Sequence, residues 1–357
     1  MRNIQLFAGF LISLSCLETS LAWGEDPPPE AVSEIDPEIP AVAPIIQDRV
    51  GPGTGGGPGP GGGMGAPGMG PPGYMATWYP SRPASNTFGD LGFVRQNLSG
   101  AVPIWKEGGD TVLLMAGVRN TLFSTDVILP DTQRPFPSEL WNINFGLMHT
   151  HKFENGWSSG LSTTIGSASD KPFHGLREMD YSIFGFLKVP TQNDRDAWMF
   201  SIMYSPVGNV AFPIPGIAYS WKPSDDFNMS IGLPFLIKWK PVEDLTLTFS
   251  YIPVTNINAR ATYRVIDEVN IYCGFEWLYE AYFLADREVQ NERFLGFEKR
   301  LIGGLRWAIW THATLDFNAG YSFDRYYGQG TSQISNLHDE VNISPGAFVG
   351  ANLLVTW

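Results

Sequence analysis

The last nine residues, Val349-Gly350-Ala351-Asn352-Leu353-Leu354-Val355-Thr356-Trp357, alternate without a break. Val349, Ala351, Leu353, Val355 and Trp357 fall on one side, and Gly350, Asn352, Leu354 and Thr356 on the other. Successive side chains of a β-strand point to opposite faces, so a period of two residues predicts a strand with one apolar face.

The pattern recurs upstream. Trp157, Leu161 and Ile165 alternate with Ser158, Gly160, Ser162 and Thr164; Trp198, Phe200, Ile202 and Tyr204 alternate with Ser201 and Met203; Leu245, Leu247, Phe249 and Tyr251 alternate with Thr246, Thr248 and Ser250. Segments of roughly ten residues, apolar on one face and small or polar on the other, predict an all-β, transmembrane antiparallel β-barrel. About fourteen strands are expected between Leu91 and Trp357, one of them over 227–240, an even number as a single-chain barrel requires. The rhythm of short turns and long loops slips between Pro206 and Pro241, which leaves twelve or sixteen strands open.

Composition agrees with a wall in lipid. Aromatic residues make up 13% of the chain and charged residues 17%, a balance that suits an apolar exterior with aromatic rims. The net charge of −13 excludes nucleic acid as a partner, because binding phosphates needs a basic surface.

The amino terminus reads as a secretory signal over residues 1–22. Arg2 supplies the positive start, Ile4 to Leu17 the apolar stretch and Ser20-Leu21-Ala22 the cleavage site. Cys16 has Ser13 where a lipoprotein would have leucine three residues earlier. With the signal removed only Cys273 remains, so no intrachain disulfide is expected.

Residues 23–85 differ from the rest. Asp26 to Asp48 is rich in acids and proline, and Gly51 to Gly73 is nearly all Gly and Pro. Neither buries enough apolar surface to offset chain entropy, so a disordered tail is expected, with residues 86–357 forming the barrel. Between Trp23 and Pro80 the acids Glu25, Asp26, Glu30, Glu34, Asp36, Glu38 and Asp48 stand against Arg49 alone.

The charges within the strands follow the alternation. Arg260 and Arg264 oppose Ala259, Ala261 and Tyr263; Glu276 and Glu280 oppose Phe275, Trp277 and Tyr279; Glu298, Arg300 and Arg306 oppose Leu301, Leu305 and Trp307. Asp316 and Asp324 oppose Leu315, Phe317 and Phe323, and Lys238 and Lys240 oppose Ile237 and Trp239. A charge on the lipid side near the midplane costs about 2–4 kcal/mol, so this face is assigned to the lumen. Lys299 breaks the rule near a strand start, where it can snorkel to a headgroup. A short turn at Asp267-Glu268 brings Arg260 close to Glu276 on the same face. Such pairs either brace the barrel or form a charged constriction.

Catalytic and metal chemistry find little support. His149 and His151 share one face of a strand, but no neighbouring Asp, Glu or Cys supplies a third ligand, and they read as interfacial histidines. A lipid-face Ser–His pair is not met beside them. His338-Asp339-Glu340 reads as a solvated loop. No enzyme activity, metal or cofactor is expected.

The signal ending at Ala22, the alternating segments from Leu91 onward and the closing Val355-Thr356-Trp357 together resemble the bacterial outer-membrane β-barrel proteins, of an uncharacterised porin-type family. The resemblance implies a bacterial outer-membrane location, with Val355 and the terminal Trp357 as an address for the barrel-insertion machinery and the amino-terminal tail in the periplasm. It implies a passive pore or facilitator for small hydrophilic solutes. Two other roles are compatible with the pattern: a non-conducting structural barrel whose tail binds a periplasmic partner, and a transporter of apolar substrates. The weak interior polarity around Phe184 and Phe186, which alternate with Ile183 and Gly185 in the opposite sense, leaves the last open.

Overall fold

The computed structural model describes residues 72–193, 195–205, 207, 212–252, 256–332 and 337–355. The expected signal peptide, most of the expected tail and Trp357 lie outside the described residues. In chain order the strands are β1 (Gly73–Pro83), β2 (Asp90–Glu107), β3 (Asp110–Thr125), β4 (Glu139–Lys152), β5 (Ser158–Ser169) and β6 (Met179–Pro190). They continue with β7 (Ala197–Tyr204), β8 (Ile214–Ser224), β9 (Phe227–Gly232), β10 (Phe235–Val242), β11 (Leu245–Ile252) and β12 (Asn256–Ile266). The last are β13 (Val269–Tyr282), β14 (Arg293–Trp310), β15 (Ala313–Gly330), β16 (His338–Ile343) and β17 (Gly346–Val355).

Every pairing between strands is antiparallel, and each strand from β1 to β15 pairs with its neighbours in sequence. β15 pairs first with β16 and then with β17, so these two short strands fill one place in the wall. β17 pairs in turn with β1, Asn352 opposite Met75 and Gly350 opposite Thr77. The ring therefore closes with sixteen places and no free edge.

Sixteen differs from about fourteen in two places. The stretch 227–240 divides at a turn after Gly232, whose φ of +136° is a backbone state that glycine tolerates. That turn restores the rhythm that slipped between Pro206 and Pro241. The other addition is β1, within the stretch expected to be disordered. Met75, Thr77 and Tyr79 are buried and point inward, while Trp78 is half exposed outside. The alternation begins as soon as the Gly/Pro run ends, so the tail boundary of residue 85 lay about one strand too late.

Both described chain ends lie at one rim, with Gly73 opposite Leu354. At this chain-end rim the turns are tight: Gly108 and Gly109 join β2 to β3, and Asp267 and Glu268 join β12 to β13. The longer connections, residues 126–138, 170–178 and 283–292, lie at the opposite, loop rim.

The two faces of the wall are inverted relative to a soluble protein. Phe145, Ile165, Ile217, Leu301 and Tyr321 are each more than half exposed on the outside, whereas Arg95, Glu276 and Arg300 are buried inside. Trp105, Trp157, Trp198, Trp221, Trp239 and Trp307 are exposed near the chain-end rim and form a girdle. An apolar outer band bounded by interfacial aromatics is the surface that lipid solvates. The molecule is a transmembrane β-barrel.

Inside, large rings lie flat against the wall where the facing strand has glycine. Tyr272 is paired with Gly304 and Phe348 with Gly320. A Cβ at Gly304 would sit 2.5 Å from the Tyr272 ring, and one at Gly320 would sit 2.6 Å from Phe348. The missing side chains are what let the rings approach so closely.

Candidate functional site

The lumen is divided into a filled arc and a solvated arc. The filled arc runs from β12 through β17 and β1 to β3. Glu276 accepts from Arg260 at 2.8 Å on one oxygen and from Arg300 at 2.6 Å on the other, and Arg300 also donates to the Tyr79 hydroxyl at 2.9 Å. The Arg260 guanidinium stacks over Tyr272 at 4.6 Å. Tyr272, Asn318 and Asn352 all donate to the same oxygen of Asp316, at 3.0–3.2 Å.

Toward the loop rim the network crosses the lumen. Arg95 on β2 reaches Glu280 on β13 at 3.1 Å and Glu298 on β14 at 3.2 Å, and Arg119 on β3 reaches Glu280 at 3.0 Å. All of these side chains are at least nine-tenths buried. Buried charges need this degree of mutual pairing, because removing one partner leaves the other desolvated. A gap of ≈ 10 Å³ remains among Arg95, Glu280, Glu298 and Arg325, room for about one water molecule.

Above this belt the mouth is packed with rings. Phe136, from the connection between β3 and β4, inserts against Phe123, Phe294 and Tyr327 with centroids 5.1–5.5 Å away. The connection between β13 and β14 reaches the opposing wall, where the Phe283 amide donates to the Ala168 carbonyl at 2.7 Å. Its Arg287, buried, pairs with Glu178 at 3.3 Å and donates to the Leu284 carbonyl at 2.7 Å.

The other arc, β6 to β11, is lined differently. Ser201, Ser220, Asn228, Thr246, Thr248 and Ser250 point inward and remain partly open to solvent. Lys188 and Lys238 share that inner face. Phe186 packs with Met115 and Met148 in a small apolar cluster beside it, with Phe184 at its edge.

The residues singled out from sequence are distributed as follows. Arg260, Glu276, Glu280, Glu298, Arg300 and Asp316 are buried in the filled arc, and Arg306 approaches Asp316 at 3.8 Å. Lys238 faces the solvated arc. Lys240 and Arg264 belong instead to the chain-end rim: Lys240 is exposed, and Arg264 is held by Asp244 and Glu243 of the β10–β11 turn. Asp324 faces outward. A register shift between β14 and β15 puts an extra residue at that point, Asp324 takes a φ of +47°, and Arg325 turns inward in its place. Asp324 thereby pairs with Lys299 on the outer wall, Nζ to oxygen 2.9 Å, which also gives that outward lysine a partner. Val355 ends β17 opposite Ala313, and Trp357 lies outside the described residues.

Two other clusters differ from the sequence reading. Asp110, brought opposite His151 by strand pairing, accepts from His149 and His151 on one oxygen, each at 2.7 Å. The carboxylate absent from the neighbourhood in sequence is thus present in space, and hydrogen bonding occupies it. Asp339 is fully buried and not solvated. It accepts from the Asp131 and Thr132 amides, the Thr132 hydroxyl and Gln329, and so ties the β3–β4 connection to the wall.

The sequence reading omitted Arg95 and Arg119, which carry the crossing of the lumen, and Tyr79, which accepts from Arg300. Arg95 and Arg119 obey the same rule as the others, since each alternates with outward Val94 and Val118. What periodicity could not supply is their partner, which lies many strands away.

A family described as a domain of unknown function (DUF6268) matches residues 130–355. Among solved structures the chain is similar to Pseudomonas aeruginosa OccK7 (OpdD), at 12% identity over 80% of this chain and 99% of that one, with a TM-score of 0.35. It is also similar to the COG4313 outer membrane channel from Pseudomonas putida F1, at 8% identity over 80% and 96%, with a TM-score of 0.32. The beta domain of the Bordetella autotransporter BrkA is similar at 10% identity over 80% and 99%, with a TM-score of 0.30. No curated protein matches the chain.

Proposed function

Because the chain belongs to the family described as a domain of unknown function (DUF6268), we propose its role from its own geometry: a narrow, passive channel for small hydrophilic solutes. The observation that carries this reading is the division of the lumen. The hydroxyl and amide groups of Ser201, Ser220, Asn228, Thr246, Thr248 and Ser250 keep contact with solvent on one arc, while the opposite arc is braced by buried ion pairs. A solute sheds part of its hydration on entry, and a wall of small polar groups replaces it at little cost. The brace keeps the lumen from collapsing onto that path.

The amino-terminal segment enters the wall at the rim that also carries the end of β17, and this reading places that rim in the periplasm. Purified full-length protein in planar bilayers should give small, discrete conductance steps. A folded barrel that stays silent across the voltage range would overturn the reading.

A second reading has its own support. The rings around Phe136 and the cross-lumen pairs of Arg95 and Arg119 fill the loop-rim half, as in a barrel whose role is structural. Its amino-terminal segment would then hold a periplasmic partner. Removing residues 23–71 separates the two: a channel keeps conducting, whereas a tether loses its partner.

A further inference from the structure

A barrel wall ordinarily turns small or polar groups inward, and β3 to β8 depart from that along one line. Leu113 pairs with Met148, Met148 with Ser162, Ser162 with Phe184, Phe184 with Met203, and Met203 with Ile214. These side chains point inward, since their sequence neighbours Leu114, Leu147, Leu161, Ile183 and Ile202 are exposed on the outer face. Strands stand about 4.8 Å apart, so the row is roughly 24 Å long. It also crosses the wall. Leu113 lies near the start of β3 at the chain-end rim, and Ile214 opens β8 at the loop rim. Strand tilt turns such a row into a spiral that leads from one mouth to the other.

The row is not a closed core. Met148 is buried with Met115 and with Phe186, whose ring lies against Gly160. Leu113, Phe184, Met203 and Ile214, by contrast, are only half-buried. The Ser162 hydroxyl, in the middle of the row, is buried without a hydrogen-bond partner. A finished core would cover the first four and would pair the hydroxyl or omit it. No member of the row is charged. Ser201 is the next inward residue to Met203 on β7, and Ser220 and Asn228 follow on β8 and β9, so hydroxyl and amide groups border the apolar line.

We propose that this row is a track for small polar molecules that carry an alkyl or aryl side group, the apolar amino acids being the simplest example. The inference rests on the channel reading given above and names the class of solute. The polar end of such a molecule stays on the hydroxyls and in water, while its side group moves along Leu113, Phe184 and Met203. Methionine suits this use, because its unbranched thioether adapts to partners of different shape. The half-open row holds each side group weakly, so a solute leaves as readily as it enters.

The test is the initial uptake of labelled leucine and asparagine, two amino acids of nearly equal size, into proteoliposomes holding the full-length protein, with both at the same low concentration. One methylene in a closed apolar pocket is worth about tenfold or more in discrimination, and a half-open row gives less, so leucine should enter about threefold faster. The double variant Phe184→Ser, Met203→Ser should bring the two rates together, with folding checked by heat-dependent mobility on gels. Should that variant not fold, Met203→Gln keeps the shape and should still lower the ratio. Equal rates in the unaltered protein, or faster asparagine, overturn the track and leave the channel reading standing. An unchanged ratio in the folded variants overturns the role of the row. If neither solute enters through a folded barrel, the channel reading falls and the track with it.

Discussion

Arg95 on β2 and Glu280 on β13 meet across the lumen at 3.1 Å, and Glu280 also holds Arg119 of β3 at 3.0 Å. One carboxylate thus ties two strands of one wall to a strand of the other. Glu280→Gln keeps the shape and removes the charge, leaving two buried guanidinium groups short of a counterion. Breaking a buried pair from one side costs about 3–5 kcal/mol, so the variant should unfold at clearly lower urea. Arg95→Met combined with Glu280→Gln should cost less than the sum of the two single changes. Strict additivity would show that the pair is not coupled.

Gly303 and Gly304 are adjacent on β14 and make opposite demands. A Cβ at Gly304 meets the Tyr272 ring at 2.5 Å and the Phe317 carbonyl at 2.7 Å, whereas at Gly303 the nearest atom is 3.6 Å away. Gly304→Ala should destabilise the barrel by about 1–3 kcal/mol, the usual cost of overpacking. Gly303→Ala should be close to neutral. Equal losses at both positions would mean that strand geometry, and not the stacked ring, holds Gly304 to glycine.

The wall was legible in the sequence because a period of two survives any tertiary context. Arg260, Glu276 and Arg300 were assigned to the inner face by that rule, and they lie there in contact. Asp324 was assigned by the same rule and faces out, because one extra residue in a strand reverses every later side chain without leaving a mark in composition. β1 was hidden for a different reason: its first residues continue a Gly/Pro-rich stretch, and a short strand at such a boundary carries little signal. The pairing of Arg95 with Glu280 joins residues far apart in sequence. Alternation names the face each occupies but not what stands across the lumen.

Asp196 offers a pH test outside the spanning strands. It lies in the turn between β6 and β7, where the Lys222 backbone amide above all, with the Asn193 side chain and the Tyr219 hydroxyl, holds its carboxyl below the usual range. A depressed folded value stabilises the fold above the unfolded value of about 3.9, and the contribution is lost as pH falls through the folded value. Asp196→Asn should therefore lower the melting temperature most near neutral pH, about pH 7, with the gap to wild type narrowing below about pH 4. A gap that stays constant into strong acid would rule out the carboxylate as its source.

The last prediction concerns the loop-rim mouth. The connection at 283–292 is fixed to the opposing wall by the Phe283 amide, by the Ala285 amide on Asp170 at 2.8 Å, and by buried Arg287 on Glu178. Arg287 is central because its guanidinium also holds the Leu284 and Arg177 carbonyls, so one side chain closes the turn and joins it to the connection between β5 and β6. Arg287→Ala leaves Glu178 buried without this counterion and frees two carbonyls. The tip should then leave the wall while the sixteen-place ring stays intact, since the ring's ladders do not pass through Arg287. Two readouts follow: faster proteolysis within 283–292 at unchanged heat-dependent gel mobility, and larger conductance steps than wild type. Glu178→Gln should move both in the same direction by a smaller amount, because the carbonyl contacts survive. If proteolysis rises and conductance does not, the tip covers the mouth without limiting flow, and the constriction lies lower, at Arg95 and Glu280.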